Sequence, residues 1–587
     1  MLLAIQQASV LKIWPNKGVN LQLKSKLTAA ILAAAISVTT YSPAQADGLA
    51  GAYLAGRIAG TDYDFKAASQ YYARALARDT KNPFLMEFAI LSFVGAGEIE
   101  RAIPVAKRLH STDPDNQIAN MLVMADLAKS GDFDGAFNFL ESGSAVGPLV
   151  DGLVMAWVQI GQGQMSGGIA TFDEVSKSPG LASFGMYHKA MALAIAGDLE
   201  GADEILSGRA GQQLPPTRRG VMAHIEILSQ LERNQDAVDR LTELFGNDLD
   251  PGLASLKQRL LAGETLPMTV VRNATDGIAE VYFTVAGALL GETNDSYTLL
   301  YTRIAELLRP DHTEAILLSA QLLENLARYE LATEAYNKIP LDDPAFHVAE
   351  LGRAEALRKS GNIDAAIEVL QRLSKSNADQ ASIHVALGDL LRRNEMFEDA
   401  TAAYDKAIAL NANPDASQWP LYFSRGITYE RTDRWEQAEA DFRKALELVP
   451  DQPQVLNYLG YSFVEMKQNL DEALDMIQRA VAGRPNDGYI TDSLGWVLYR
   501  LGRYQEAVPH MERAAELEPV DPIINDHLGD VFWAVGRKRE AEFQWYRALS
   551  FEPEEEDAVR IRRKLEIGLD AVLEEEGAKP IKLSNDG

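Results

Sequence analysis

The 587-residue chain contains no cysteine. Its absence excludes structural disulfides, thiolate zinc sites, cysteine nucleophiles and an N-terminal cysteine that could carry a lipid anchor. A chain without cysteine is compatible with any compartment, so this feature alone does not place the protein.

The sequence also lacks the short motifs of common enzymes. None of its eight histidines belongs to a His-Glu-x-x-His zinc motif, and there is neither a Gly-x-Ser-x-Gly elbow nor a phosphate-binding loop. Carboxylate pairs are frequent, but in stretches this acidic they are typical of solvated helix faces. We therefore expect no enzymatic activity, no cofactor and no metal site.

The chain has fewer basic than acidic residues. The chain has 56 basic against 84 acidic residues, and its formal net charge is −28. A field of this sign repels nucleic acid phosphates and anionic membrane surfaces, so we expect other proteins as partners and no nucleic acid. The alternative, that the acidic excess only keeps the chain soluble, stays open.

The N-terminal residues 1–46 resemble a secretory signal peptide. Lys24 and Lys26 precede a small-apolar run at residues 27–38, and Ala44-Gln45-Ala46 follows. This order predicts cleavage after Ala46 and export to the periplasm or cell envelope. An uncleaved segment would be the expected contact with a membrane. The long leader at residues 1–23 favours a second hypothesis, in which translation begins near Val19.

Alternating β-branched runs are scarce, and a repeat of 34 residues dominates what remains. Three consecutive segments each carry an alanine and a proline at equivalent positions. Successive alanines are 34 residues apart, and so are successive prolines; the residues are Ala480, Ala514 and Ala548, and Pro485, Pro519 and Pro553. Small residues recur on the first and second helix of each predicted pair, where helices approach closely; these packing positions are Gly426, Gly460, Gly495 and Gly529, and Ala438, Ala473, Ala507 and Ala541.

The period and these packing residues resemble the tetratricopeptide repeat. The resemblance implies an all-α fold, a right-handed superhelical solenoid of helix-turn-helix repeats in two arrays. The predicted organisation is as follows: a signal peptide at 1–46, a degenerate array at 47–262, a break or linker at 263–280, divergent repeats at 281–379, clear repeats at 380–553, and a C-terminal capping helix with a tail at 554–587.

The first helices of such repeats line the concave side. The inward positions of the clearest repeats are Asn457, Tyr461, Asp492, Trp496, Tyr499, Arg500, Asp526, Asp530 and Trp533. Aromatic rings beside carboxylates and an amide suit an extended or helical peptide, so these residues form the candidate peptide-binding groove. The alternative is that the tryptophans pack against the next repeat.

The strings at residues 457–461, 489–496 and 524–530 are similar to those of a proteobacterial family of envelope repeat proteins. Some members are outer-membrane lipoproteins that bring a carboxy-terminal processing protease to cell-wall hydrolases. The resemblance implies a non-catalytic envelope scaffold whose partners include a processing protease or a cell-wall enzyme. The missing lipid-bearing cysteine departs from it. The alternative is an assembly, export or chaperone-like factor for secreted or envelope components.

Overall fold

The computed structural model describes residues 48–578, with the exception of residues 144, 212, 247, 248, 250 and 412. The predicted signal peptide and the last nine residues of the predicted tail lie outside the described residues.

In the described part of the chain, 31 α-helices and one short 3₁₀ helix at Ala416–Gln418 account for the regular structure, and no strand occurs. The all-α fold of paired helices is therefore confirmed for these residues. The right-handed course of the solenoid stays a prediction.

Two compact units divide the chain between Asp151 and Gly152, within α7. The helices of the first unit, with the one that crosses the boundary, are α1 (Leu49–Thr61), α2 (Phe65–Arg78), α3 (Pro83–Gly95), α4 (Ile99–Thr112), α5 (Gln117–Ser130), α6 (Phe133–Glu141) and α7 (Pro148–Gly161). Within this unit each of the first five helices packs against the next one along the chain.

The second unit holds the remaining helices. Its first half contains α8 (Met165–Lys177), α9 (Ala182–Ala196), α10 (Leu199–Leu206), α11 (Arg218–Gln230), α12 (Asn234–Phe245), α13 (Pro251–Leu261), α14 (Ala274–Leu289), α15 (Asp295–Leu308), α16 (Thr313–Asn325), α17 (Tyr329–Tyr336), α18 (Phe346–Lys359) and α19 (Ile363–Ser376). Its second half contains α20 (Ala381–Arg393), α21 (Phe397–Leu410), α22 (Trp419–Glu430), α23 (Trp435–Leu448), α24 (Pro453–Glu465), α25 (Leu470–Gly483), α26 (Gly488–Arg500), α27 (Tyr504–Leu517), α28 (Pro522–Ala534), α29 (Lys538–Ser550), α30 (Glu555–Ile567) and α31 (Leu569–Glu575).

Short polar turns start and stop the helices of each pair. At the start of α26 the Asp487 carboxylate accepts a hydrogen bond from the Ile490 N–H at 3.2 Å. At the start of α28 the carboxylate of Asp521 accepts from the N–H groups of Ile523 and Ile524 at 2.9 Å. These side chains satisfy amides that have no partner within the helix, which fixes where each first helix begins.

The glycines at the packing positions let the paired helices approach. A Cβ at any of the four glycines would overlap a side chain of the second helix in the same pair. The glycines and the side chains they face are Gly426 with Phe442, Gly460 with Ile477, Gly495 with Met511, and Gly529 with Trp545. The four alanines, Ala438, Ala473, Ala507 and Ala541, are fully buried. Each pair is therefore closed by a small residue facing a large one.

The stacking order changes in the first half of the second unit, because α14 packs against α9, which lies five helices earlier. The tyrosine hydroxyl of Tyr187 on α9 donates to the carboxylate of Glu280 on α14 at 2.8 Å. Gly277 of α14 lies against the indole of Trp157, where a side chain would not fit. We call this contact of α14 with α7 and α9 the junction.

Residues 262–273 connect α13 to α14 and contain no helix. Apart from residue 262, they belong to the predicted break at 263–280. Arg219 and Arg309 both donate to the backbone oxygen of Val270, at 2.9 and 2.7 Å. The Glu226 carboxylate accepts from the backbone N–H of Thr269 at 2.8 Å. The segment is thus tied to helices on both sides, and the rest of the predicted break belongs to the first two turns of α14. The predicted domain boundaries stay predictions.

Candidate protein-binding groove

The predicted groove residues lie on the first helices of three successive repeats: Asn457 and Tyr461 on α24; Asp492, Trp496, Tyr499 and Arg500 on α26; and Asp526, Asp530 and Trp533 on α28. Spacings of three or four residues put the members of each helix on one face. We call the surface formed by these nine residues the groove.

Trp496 forms part of the floor between two repeats. Its ring stacks on His527 of α28 at a centroid distance of 3.9 Å and on Tyr499 at 4.8 Å. Its indole N–H donates to the Glu465 carboxylate at 3.1 Å. The side chain is buried, so it joins repeats as well as facing the groove.

Asp492 pairs with His527 across the same repeat boundary, at 3.0 Å. Burial by itself would lower the pKa of His527, but the charge and hydrogen bond of Asp492, together with Asp526 and Asp530, raise it above its ordinary value. The imidazole is therefore held in the charged form more strongly than in water.

Asp526 and Asp530 receive a cation from α30. The Lys564 ammonium donates to both oxygens of Asp526 at 2.8 Å and to Oδ1 of Asp530 at 2.6 Å. The Lys564 side chain is completely shielded from solvent, with an exposure of 0%. Burial raises the pKa of Asp526, the Lys564 charge lowers it, and the neighbouring Asp530 raises it again, with a net increase. Lys564 thus separates two carboxylates that would otherwise repel each other.

Two further contacts complete the surroundings of Asp530. Oδ1 also accepts from the indole N–H of Trp545 at 3.0 Å. Oδ2 is buried and accepts no hydrogen bond, while the guanidinium of Arg560 on α30 lies 3.6 Å away. Asp530 therefore keeps one buried acceptor position that the chain itself does not use.

Trp533 lies where α30 passes into α31. Its indole N–H donates to the Asp570 carboxylate at 2.9 Å, and the Lys538 ammonium lies 4.4 Å from the centre of its ring. Gly568 packs directly on the ring, where a Cβ would collide with it.

The remaining groove residues show how far α30 reaches. Burial raises the pKa of Tyr461, and the charges of Glu465, Asp492 and Asp557 raise it further. Burial and the charge of Asp530 raise the pKa of Tyr499, while Arg560 lowers it. Asp557 and Arg560 both belong to α30, so this helix acts on residues of α24, α26 and α28.

Asn457 and Arg500 complete the groove on α24 and α26. Asn457 is half-buried, and its Oδ1 has no hydrogen-bond partner. Arg500 is half-buried and lies 6.0 Å from the ring centre of Trp496.

A capping helix after residue 553 was predicted, but Lys564 and Arg560 were not identified as groove contacts. A usable signal was present. Lys564 lies three residues after Ile561, which is fully buried, so it belongs to the apolar stripe of α30 rather than to its exposed side.

A second polar centre lies at the junction. Arg219 of α11 donates to both Glu280 oxygens at 2.9 Å and to the Glu314 carboxylate at 2.8 Å. Burial raises the pKa of Glu280, but the charges of Arg219 and His312 outweigh it and hold this pKa far below its ordinary value. A cavity of about 500 Å³ adjoins this centre, lined among others by Phe184, Tyr187, Pro215, Phe283 and Glu314.

Metal-binding clusters and membrane-spanning helices are both absent from the described residues. These residues contain no group of three or more His, Cys, Asp or Glu side chains that could hold a metal ion. Among the helices from residue 49 to residue 575, none combines the length and apolarity needed to span a bilayer.

Comparison with known proteins identifies the repeats. A family model described as tetratricopeptide repeat matches residues 351–416, 423–488 and 493–553. A TPR repeat-containing protein of Pseudomonas aeruginosa is 29% identical over 170 residues, which cover 28% of this chain and 27% of the relative. The matched stretch thus spans about a quarter of that relative's length.

Similar solved structures include the APC/C hetero-tetramer Cut9-Hcn1, with a TM-score of 0.35, 14% identity and coverage of 88% of this chain and 96% of that chain. Yeast Tom70 has a TM-score of 0.33, 13% identity and coverage of 90% and 96%. The stretches of this chain that match the tetratricopeptide repeat model thus lie between residues 351 and 553.

Proposed function

We propose that this protein is a non-catalytic scaffold that holds partner polypeptides in the groove formed by α24, α26 and α28. The observation that carries the proposal is that the groove already accepts a helix: α30 lies against its α28 side, where Lys564 donates to Asp526 and the Arg560 guanidinium lies 3.6 Å from Asp530. Aromatic rings beside buried carboxylates supply both apolar contact and charge-assisted hydrogen bonds to such a segment.

The proposal includes a place and a task. The N-terminal pattern and the family resemblance support export to the periplasm or cell envelope, where the scaffold would bring a processing protease or a cell-wall enzyme to its client. The physical mechanism is the raised effective concentration of two proteins that are bound to one support.

Site-specific photo-crosslinking in living cells tests the task. A crosslinking amino acid replaces Asn457 in the groove, and in the matched control it replaces Tyr546 on α29, whose side chain is 64% exposed. We expect the position at Asn457, but not the control, to capture a processing protease or a cell-wall enzyme. Capture of neither class, or of the same proteins from both positions, contradicts the proposal.

Mass spectrometry of the mature protein tests export. We expect an N-terminus at Asp47 and recovery in the envelope fraction. A protein that retains Met1 contradicts both cleavage and the later translation start.

An assembly, export or chaperone-like role is the second candidate. It is favoured by three large apolar side chains in the first unit, Leu54, Ile58 and Phe84, which are 60, 67 and 72% exposed. Such a surface suits weak binding of apolar segments. In the same crosslinking experiment, a probe at Ile58 that captures many unrelated secreted proteins supports this role, and a probe that captures none contradicts it.

A further inference from the structure

The contacts of α30 with the groove are polar: its hydrogen bonds and ion pairs there go to Asp526 and Asp530 of α28. Only three of the thirteen residues of α30 are buried: Ala558, Ile561 and Lys564. Of the two helices of the last repeat, α28 buries ten of thirteen residues and α29 buries three of thirteen, all apolar and including Trp545. One of the three in α30 is instead a lysine, so α30 buries fewer apolar side chains than either helix of that repeat.

The main anchor of α30 is a buried ammonium rather than an apolar side chain. Removing Lys564, Asp526 and Asp530 from water costs free energy that their mutual attraction offsets only in part. An apolar residue at position 564, facing apolar residues, would stabilise a permanent cap at least as well. A charged anchor favours a contact whose register is specific and which can be released into water.

We propose that α30 is a displaceable intramolecular ligand of the groove, and that the intermolecular partner is a helical segment with two basic residues four positions apart and an apolar residue between them. This inference rests on the proposed function, since it takes the groove as the protein-binding surface. It assigns the partner by the chemistry of Arg560, Ile561 and Lys564 in α30.

The Asp530 oxygen that accepts no hydrogen bond indicates how a partner can bind more tightly than α30 and displace it. Oδ2 of Asp530 is buried without a hydrogen bond, and the Arg560 guanidinium stops 3.6 Å short of it. An arginine in the position of Lys564 carries five donors in a planar fork, and it can pair with both oxygens of a carboxylate. A partner helix with arginine there can donate to an atom that receives no hydrogen bond from α30.

Charge supports the same class of partner. Among the nine groove residues Asp492, Asp526 and Asp530 are acidic and Arg500 is basic, and His527 pairs with Asp492. The whole chain carries a formal net charge of −28. Both the local and the total charge attract a basic helix and accelerate its association.

The test compares two charge-reversed versions of the full chain that have the same net charge. In the release variant, Arg560→Glu and Lys564→Glu remove the groove contacts of α30. In the control variant, Arg562→Glu and Arg563→Glu change exposed residues of the same helix, which have exposures of 54 and 43%. The probe is a fluorescent peptide with the sequence of residues 554–577.

We expect the peptide to bind the release variant at least tenfold more tightly than it binds the wild type or the control variant. The reason is that an attached α30 competes at a local concentration on the order of millimolar. A peptide in which both basic residues are glutamate should not bind. Equal affinity of all three proteins, or an equal gain in the control variant, overturns the proposal.

Hydrogen exchange separates release from unfolding. In the release variant, amides of α30 should exchange faster, while those of α26 and α28 keep their protection. Loss of protection in α26 and α28 would identify α30 as a structural cap and overturn the proposal. The peptide assay needs no envelope protein, so its result is independent of the crosslinking experiment that tests the proposed function.

Discussion

Two regions of the second compact unit bury a cation between carboxylates, and they do so in different surroundings. At the junction, Arg219 pairs with Glu280 and Glu314. In the groove, Lys564 pairs with Asp526 and Asp530. Arg219 is 9% exposed and Lys564 is 0% exposed, so burial of the charge itself does not distinguish the two regions.

What differs is the apolar contact around each cation. Ten of the sixteen residues of α14 are buried at the junction, against three of thirteen in α30. The same polar chemistry therefore secures a permanent helix contact in one place and, in our proposal, a reversible one in the other. On this proposal, the extent of apolar burial, rather than the ion pair, decides how firmly a helix is held.

The largest effect is expected from Glu280→Ala, which breaks the junction. The change leaves Arg219 buried without its main partner, and we expect the free energy of unfolding to fall by about 3–5 kcal/mol. Denaturant unfolding of the full chain measures it. Glu314→Gln, which changes a more exposed partner of the same arginine, is the control and should cost clearly less. Equal losses from both variants would contradict this account of the junction.

Acid should weaken the junction before it weakens the groove. The Nδ1 of His188 accepts from the Trp157 indole N–H at 3.1 Å, and burial lowers the pKa of His188 from 6.5 to about 4. The unfolded chain then binds more protons than the folded one, so stability falls as pH falls, by about 2 kcal/mol between pH 7 and pH 5.

His527 in the groove has the opposite sign, because its raised pKa keeps the charged form stable in acid. Hydrogen exchange at pH 7 and pH 5 should show α14 losing protection while α28 retains it. His188→Gln should remove most of the acid effect in α14, and an unchanged pH dependence in this variant would refute the assignment.

Gly529→Ala tests the packing of α28 against α29 next to the groove. The added Cβ would collide with the Trp545 indole, which donates to Asp530, and we expect a loss of about 1–2 kcal/mol from overpacking. Gly287→Ala near the end of α14 is the matched control. No atom lies within 4 Å of the position of its Cβ, so this change should be neutral or stabilise by up to about 1 kcal/mol. Thermal unfolding of both variants distinguishes the cases.

Lys564→Ala should have the smallest effect on global stability. If α30 detaches, Asp526 and Asp530 become solvated, and the repeats lose only the docking free energy of one weakly buried helix. We expect a change in the main unfolding transition of less than about 1 kcal/mol, with faster amide exchange confined to α30 and α31. A loss as large as that of Glu280→Ala would erase the difference between the two regions.

The repeats could be predicted from the sequence because their chemistry is local. A 34-residue period, a glycine facing an aromatic ring and a proline after the second helix all lie within one helix pair, as Gly529 and Trp545 illustrate. The helical fold of the clear repeats and the faces of their first helices follow from such patterns.

The junction and the occupant of the groove could not be predicted in the same way. A repeat pattern specifies contacts between neighbours along the chain, whereas α14 packs on α9, with four helices between them in sequence. Lysine is rarely buried, and the tertiary position of Asp526 and Asp530 reverses this preference at Lys564.

The contact of α14 with α9 turns the stretch between them into a side branch. Helices α11, α12 and α13 build a core of their own, which includes Val221, Ile225, Leu241 and Leu260. The chain then continues into α14, which packs against α9. Because α11 supplies Arg219 to the junction, the part of this branch that can change in length without shifting the helices on either side is α12 and α13. The middle of this protein is thus a place where evolution could add a surface while the spacing of the repeats stays the same.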